Sequence, residues 1–232
     1  MHAIEFKDFS CYYKTKKEYL TALDNISLSI DAGELFVITG ASGSGKTTLL
    51  KCITGLCEHI SGELLIDGVS IDDFRLQNSN IGFIRQEINL YPHMTVYENI
   101  AFPLRMIHTP QSEVDKRVKE TAALLDIRWL LTRKPRQLSG GQHQRVALGR
   151  ALVKNPVMVL FDEPFSNIDP VLRTELRQLV KKVHHTLGCT MVFVTHDQSE
   201  ACALADRIAV LDNGTVEALG TPQELLQKGY LQ

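Results

Sequence analysis

Apolar positions follow two rhythms along this chain. Residues 4–13 carry aromatic and β-branched side chains near a two-residue alternation, and Ile26-Ser27-Leu28-Ser29-Ile30 repeats it, so both predict half-buried strands. Four runs, 35–38, 81–84, 157–161 and 190–194, are almost continuously apolar and predict strands; 157–161 has the character of a parallel strand covered on both faces, and 190–194 is the next buried strand. Asp67-Gly68 after Leu64-Leu65-Ile66 predicts a hairpin, as does Asp212-Asn213-Gly214 between 208–211 and 215–218. Between Gln86 and about Asn155 the rhythm becomes helical. Thr95 and Glu98 have capping-box spacing, and Ser112 is the expected start of an amphipathic run to Leu125. Ser139 and Gln142 repeat that spacing before a helix reaching about Val153, as do Thr195 and Gln198, and Thr221-Pro222 opens a terminal helix. The order predicts one α/β domain over 1–232. Its core is 1–86 and 156–232, flanked by an antiparallel β layer, and a helical subdomain is inserted at 87–155.

Chemistry enters at Gly40-Ala41-Ser42-Gly43-Ser44-Gly45-Lys46-Thr47-Thr48, between an apolar strand and a helical run. That context and the G-x-x-x-x-G-K-T spacing are those of a phosphate-binding P-loop. Gly40, Gly43 and Gly45 permit positive φ, and Ser42, Ser44 and their neighbours offer N–H groups at the positive end of a helix. Lys46 supplies charge for the β- and γ-phosphates and the Thr47 hydroxyl is placed to ligate Mg²⁺, while Thr48 is a second hydroxyl at the helix entry. The expected ligand is a nucleoside triphosphate.

Asp162-Glu163-Pro164 ends a buried strand, where paired carboxylates are costly to desolvate unless a cation meets them. Asp162 would hold Mg²⁺ through water, and Glu163 would orient or deprotonate an attacking water. His196 follows another buried strand, where its imidazole can donate to a γ-phosphate. Tyr13 ends the first strand, and its ring fits either a purine or an ordinary core or surface position. Leu138-Ser139-Gly140-Gly141-Gln142 leaves a bare helix start, an anion site in principle and a weak signal alone.

A net charge of −2 gives no electrostatic reason to expect nucleic acid, although Lys14-Thr15-Lys16-Lys17 and Arg133-Lys134-Pro135-Arg136 are basic clusters suited to solvated loops. Cys11, Cys52, Cys57, Cys189 and Cys202 form no C-x-x-C pair and have no histidines at zinc spacing, which predicts reduced, partly buried thiols. No apolar run reaches membrane-spanning length.

With these motifs in place, the chain resembles the ATP-binding subunit of an ABC transporter over essentially all of its length. Residues 40–47 match Walker A, 157–162 with Glu163 match Walker B and its adjacent glutamate, and 138–142 match the ABC signature. Gln86 falls at the Q-loop, Ser166-Asn167-Ile168-Asp169 at the D-loop, His196 at the switch histidine and Tyr13 at the aromatic position that stacks on adenine. The resemblance implies a P-loop NTPase fold and a head-to-tail dimer. Each ATP would lie between one copy's Walker motifs and the Ser139, Gly140, Gly141 and Gln142 of its mate, with Asp169 at the interface. It implies Mg²⁺ on Thr47, Gln86 and Asp162, and catalysis by Glu163, His196, Lys46 and Gln86. It also implies transmembrane permease subunits, a place on the cytoplasmic face of the cell membrane and, for an importer, a solute-binding protein.

Tyr91-Pro92-His93-Met94-Thr95-Val96-Tyr97-Glu98-Asn99 and residues 195–201 resemble importer ATPases serving sugars and similar small solutes. The sugar-type subunits usually carry a β-rich regulatory domain beyond this point, and none is expected before Gln232. An exporter is the alternative within transport. A non-transport ABC ATPase, in repair or on the ribosome, is the alternative outside it. Such relatives usually carry either a long coiled-coil insertion or two cassettes in one chain, and the segment between Lys46 and Asp162 leaves no room for a long coiled coil.

Overall fold

The computed structural model describes residues 1–14, 18–57, 59–73, 80–166 and 168–231. Thr15, Lys16 and Lys17 of the first basic cluster, Asn167 of the D-loop and Gln232 lie outside the described residues. The elements run β1 (His2–Lys14), β2 (Tyr19–Asp31), β3 (Leu35–Gly40), α1 (Lys46–Ile53), β4 (His59–Ile66), β5 (Val69–Ser70), β6 (Ile81–Ile84), α2 (Val96–Met106) and α3 (Gln111–Leu124). They continue with α4 (Gly140–Leu152), β7 (Met158–Asp162), α5 (Pro170–Leu187), β8 (Thr190–Val194), α6 (Gln198–Leu204), β9 (Arg207–Asp212), β10 (Thr215–Gly220) and α7 (Pro222–Gln227). Two compact units result: Met1–Ser79 with Gly188–Gln232, and Asn80–Leu187.

The first unit holds two sheets. One is antiparallel in the order β2-β1-β4-β5, and its β4–β5 hairpin turns at Asp67-Gly68 as expected. In the other, β3 lies parallel between β8 and β9, and β10 folds back on β9. Residues 35–39 of β3 and all of β8 are buried, which explains their unbroken apolar runs. Helix α1 touches β1, β2 and β3, burying Leu49, Leu50, Cys52 and Ile53. β2 exceeds the expected 26–30 because β1 keeps pairing with it as far as Lys14↔Tyr19. Thr195 does not cap α6. Asp197 does, accepting from the Ser199 and Glu200 N–H groups, while the Thr195 hydroxyl accepts from the Asp197 N–H and donates to the buried Glu200 carboxylate.

The cysteines are buried or half-buried, as expected, and three of them gather. All five are free thiols, yet Cys11 of β1, Cys52 of α1 and Cys57 beyond it bring their sulfurs within 4.8 Å of one another. The Cys52 S–H donates to the Cys57 sulfur at 2.9 Å. That bond holds the Cys57 thiol down to about 7 and pushes Cys52 up, while burial pushes Cys11 up to about 11.

In the second unit β6 and β7 pair in parallel, and helices α2, α3 and α4 pack together. β7 starts one residue later than its apolar run, because Val157 is exposed. Helix α3 starts earlier than Ser112. Pro110 is its N-cap, and the Pro110 carbonyl accepts from Glu113 and Val114. The capping boxes at Thr95 and Ser139 form as the spacing predicts. Fully buried Asn99 organises the turn before α2. Its Oδ1 accepts from the Tyr91 N–H, and its Nδ2 donates to the carbonyls of Tyr91, Met94 and Thr95.

Replacing Asn99 strands those backbone groups. Asn99→Leu, which keeps the branch at Cγ but is bulkier and makes no hydrogen bond, is expected to lower the unfolding free energy by roughly 3 kcal/mol, read as a shifted urea midpoint.

Candidate functional site

In the first unit β3 carries the chain into the P-loop, and the loop's shape follows from its glycines. Gly40, Gly43 and Gly45 have φ of 149°, 83° and 101°. At Gly43 a Cβ would meet nothing within 4 Å, so that glycine serves backbone geometry alone. At Gly40 a Cβ would lie 2.1 Å from the Leu211 carbonyl, and at Gly45 2.7 Å from that of Ala22. Those two therefore also let the loop sit against β9 and β2. The Gly214 N–H donates to Ser44 O, and the Asp24 N–H donates to Gly214 O. Loop and β9–β10 turn are thus one hydrogen-bonded assembly.

Lys46 is 5 % exposed, and its ammonium donates to the carbonyls of Gly40 at 2.9 Å and Ala41 at 2.7 Å. Helix α1 starts at Lys46 without a side-chain cap. The buried Ser44 Oγ has no hydrogen-bond partner among the described residues. An uncapped helix start, an unused buried hydroxyl and a charge already bent over the loop form a set of donors that a phosphate satisfies. The half-exposed Tyr13 reaches the same helix start, its hydroxyl 3.2 Å from Thr48 Oγ1. Thr48 thus acquires a positioning role that its sequence context did not reveal. Ile38 pairs with Val194, and the Thr195 N–H donates to Ile38 O. The exposed His196 therefore leaves β8 at the strand end where β3 enters the loop.

The second unit repeats this logic. Ile84 pairs with Phe161, so Gln86 and Asp162 emerge at the same end of β6 and β7. Gln86 Nε2 donates to Ser166 Oγ at 3.4 Å, joining the Q-loop and D-loop positions. Glu163 has φ 44°, a left-handed conformation that costs a non-glycine residue energy and recurs at functional sites. Nothing in its sequence context signalled this. Asp169 Oδ1 accepts from the Leu172 N–H at the start of α5. Ser139 caps α4, its Oγ accepting from the Gln142 N–H while Gln142 Oε1 accepts from the Ser139 N–H. Ser139 and Gly140 are exposed, and a Cβ at Gly140 would meet nothing within 4 Å. Gly141 differs from the bare glycine pair expected. It is buried, with Leu172 Cδ1 2.5 Å from where its Cβ would lie. Only the first glycine keeps the helix start open.

Comparison with known proteins places these motifs in a family. The ABC transporter family profile matches residues 23–166. The sn-glycerol-3-phosphate import ATP-binding protein UgpC of Psychromonas ingrahamii is 48% identical over 88% of this chain and 55% of its own length. The maltose/maltodextrin import ATP-binding protein MalK of Vibrio parahaemolyticus is 47% identical over 87% of this chain and 54% of its own. The chain thus spans little more than half the length of these two relatives. Among solved structures, the ATP-binding cassette MJ0796, dimeric in a post-hydrolysis state with ADP and phosphate, aligns with a TM-score of 0.82 and 36% identity. That alignment covers 94% of this chain and 98% of the other. CbiO1 of Clostridium perfringens, part of an ABC transporter complex, aligns with a TM-score of 0.89 and 28% identity over 98% of this chain and 92% of its own.

The two signature glycines separate under mutation. Gly140→Ala should leave stability within about 1 kcal/mol, the helix gain offsetting little. Gly141→Ala should cost about 1–3 kcal/mol by overpacking Leu172. Adding Leu172→Ala should recover part of that loss in a thermal-denaturation double-mutant cycle.

Proposed function

We propose, since this chain belongs to the ABC transporter family, that it is the ATP-binding and ATP-hydrolysing engine of a membrane importer for small polar solutes. The observation that carries the reading is the P-loop itself: a buried lysine bent over an uncapped helix start beside an unpartnered buried hydroxyl. Relatives named as import ATP-binding proteins for glycerol phosphate and maltodextrins support the importer assignment and the solute class. The dimeric cassette with ADP and phosphate supports action as a pair of copies.

In this reading the Tyr13 ring, aimed by its bond to Thr48, stacks on the adenine. The loop N–H groups at 42–48 and the Ser44 hydroxyl bind the phosphates, and Lys46 transfers its ammonium from loop carbonyls to phosphate oxygens. Thr47, Gln86 and Asp162 would hold Mg²⁺, which when bound neutralises charge on the phosphates. Glu163 orients or deprotonates the attacking water, and His196 donates to the γ-phosphate. Ser139 to Gln142 and Asp169 face the nucleotide of a second copy, so the pair closes on ATP and opens after hydrolysis. The helices within 87–155 act as a subdomain that Gln86 couples to the nucleotide, and transmembrane permease subunits, served by a solute-binding protein, receive that movement. No helix among the described residues is long and apolar enough to cross a membrane. The chain is accordingly assigned to the cytoplasmic membrane face through those partners.

Glu163→Gln is expected to bind ATP, lose turnover by about 100-fold or more, and elute with Mg-ATP at twice the monomer mass in size-exclusion chromatography. A variant monomeric under those conditions would refute the paired-copy mechanism. Lys46→Ala should abolish measurable ATPase activity. Tyr13→Ala should raise the KM for ATP by about tenfold, as expected from losing about 1–3 kcal/mol of stacking, with kcat little changed.

A further inference from the structure

We propose that Cys11, Cys52 and Cys57 form a site for one thiophilic d¹⁰ cation, Zn(II) or Cu(I), behind the P-loop helix. The three ligands come from β1, from α1 and from the segment beyond α1, so only folding assembles them. All three sulfurs lie within 4.8 Å of one another, and Cys52 and Cys57 are 2.9 Å apart. Thiolates about 2.3 Å from one ion stand about 3.8 Å apart, so shifts of about 1 Å or less, within reach of side-chain rotation, close this triangle on a metal. An all-sulfur donor set selects soft ions over Mg²⁺ or Ca²⁺.

The surroundings fit entry and retention. Cys11 and Cys52 are buried, and Cys57 is half-buried beside a cavity of about 60 Å³ lined also by Phe9, Leu64, Ile71 and Asp72. That cavity has room for a water as fourth ligand, and the exposed Asp72 adds negative charge at its mouth. Phe9, Leu64 and Ile71 keep the remaining wall apolar. A disulfide between Cys52 and Cys57 is the rival use of this pair. It would need a peroxide-class oxidant to take two electrons and two protons, and it would leave the third sulfur without a part.

An ion here would join β1 to the helix that carries Lys46, Thr47 and Thr48. The Cys57 sulfur also lies 3.9 Å from the Thr48 carbonyl oxygen, and Tyr13, two residues along β1 from Cys11, is bonded to Thr48. Loading would therefore stiffen the support of the nucleotide loop without touching the nucleotide.

The test uses the purified full chain under a phosphine reductant, titrated with Co(II) as the spectroscopic probe for Zn(II) and, separately, with Cu(I) against a chromophoric chelator. The expected result is one ion per chain, with a sulfur-to-cobalt charge-transfer band erased by Zn(II) or with chelator-resistant Cu(I). Bound metal should protect Cys57 from alkylation, read by mass spectrometry. Cys57→Ser, at the half-buried position, and Cys52→Ser should each weaken binding by about 100-fold or more, while Cys202→Ser leaves it unchanged. Failure of both ions to bind overturns the proposal, as does wild-type affinity in Cys57→Ser. So does peroxide converting Cys52 and Cys57 to a disulfide in a chain that takes up neither metal.

Discussion

A lysine ammonium turned back on its own loop is the constraint from which the rest of the nucleotide site follows. Burying a charge is expensive unless hydrogen bonds replace its water, and Lys46 finds that replacement in the carbonyls of Gly40 and Ala41. The loop must curl tightly for those carbonyls to converge. Curling demands positive φ at Gly40, Gly43 and Gly45, and it presses Gly40 and Gly45 onto the backbones of β9 and β2. The carbonyls thus hold the charge that is proposed to meet a phosphate.

In each unit, the residues proposed for the site stand at or within two residues of the end of a parallel strand. His196 follows β8, the P-loop follows β3, Gln86 follows β6 and Asp162 closes β7. Burial fixes the strands and leaves their ends free to present polar groups, a division of labour common to open α/β sheets. Glu163 adds backbone strain to that arrangement, since its left-handed φ sets the direction of a carboxylate one residue beyond β7.

Much of this was legible in the sequence because the relevant physics is local. The P-loop spacing, the unbroken run of β8, the Thr95 and Ser139 capping boxes and the Asp67-Gly68 hairpin depend on neighbours a few residues away. What escaped was non-local or degenerate. Thr195 and Asp197 are both good caps, and the choice falls to Asp197 because the Thr195 hydroxyl is taken up by the Glu200 carboxylate five residues on. Gly140 and Gly141 are identical on paper, and Leu172 of another helix tells them apart. The thiol triad spans three elements and has no spacing to read. Helix periodicity also does not show the four hydrogen bonds by which Asn99 reaches back across the turn from Tyr91.

The central strand of the first unit has a consequence for biosynthesis. The Gly33 N–H, just before β3, bonds to Thr190, 157 residues further on, and β3 takes both of its neighbours, β8 and β9, from the sequence after Leu187. At about 5–20 residues per second a ribosome needs roughly ten to thirty seconds to supply them. Throughout that interval the nascent segment Leu-Phe-Val-Ile at 35–38 waits without its edge partners, greasy and ready to stick. The strand that leads into the P-loop can therefore complete its hydrogen bonds only once residue 211 has been made.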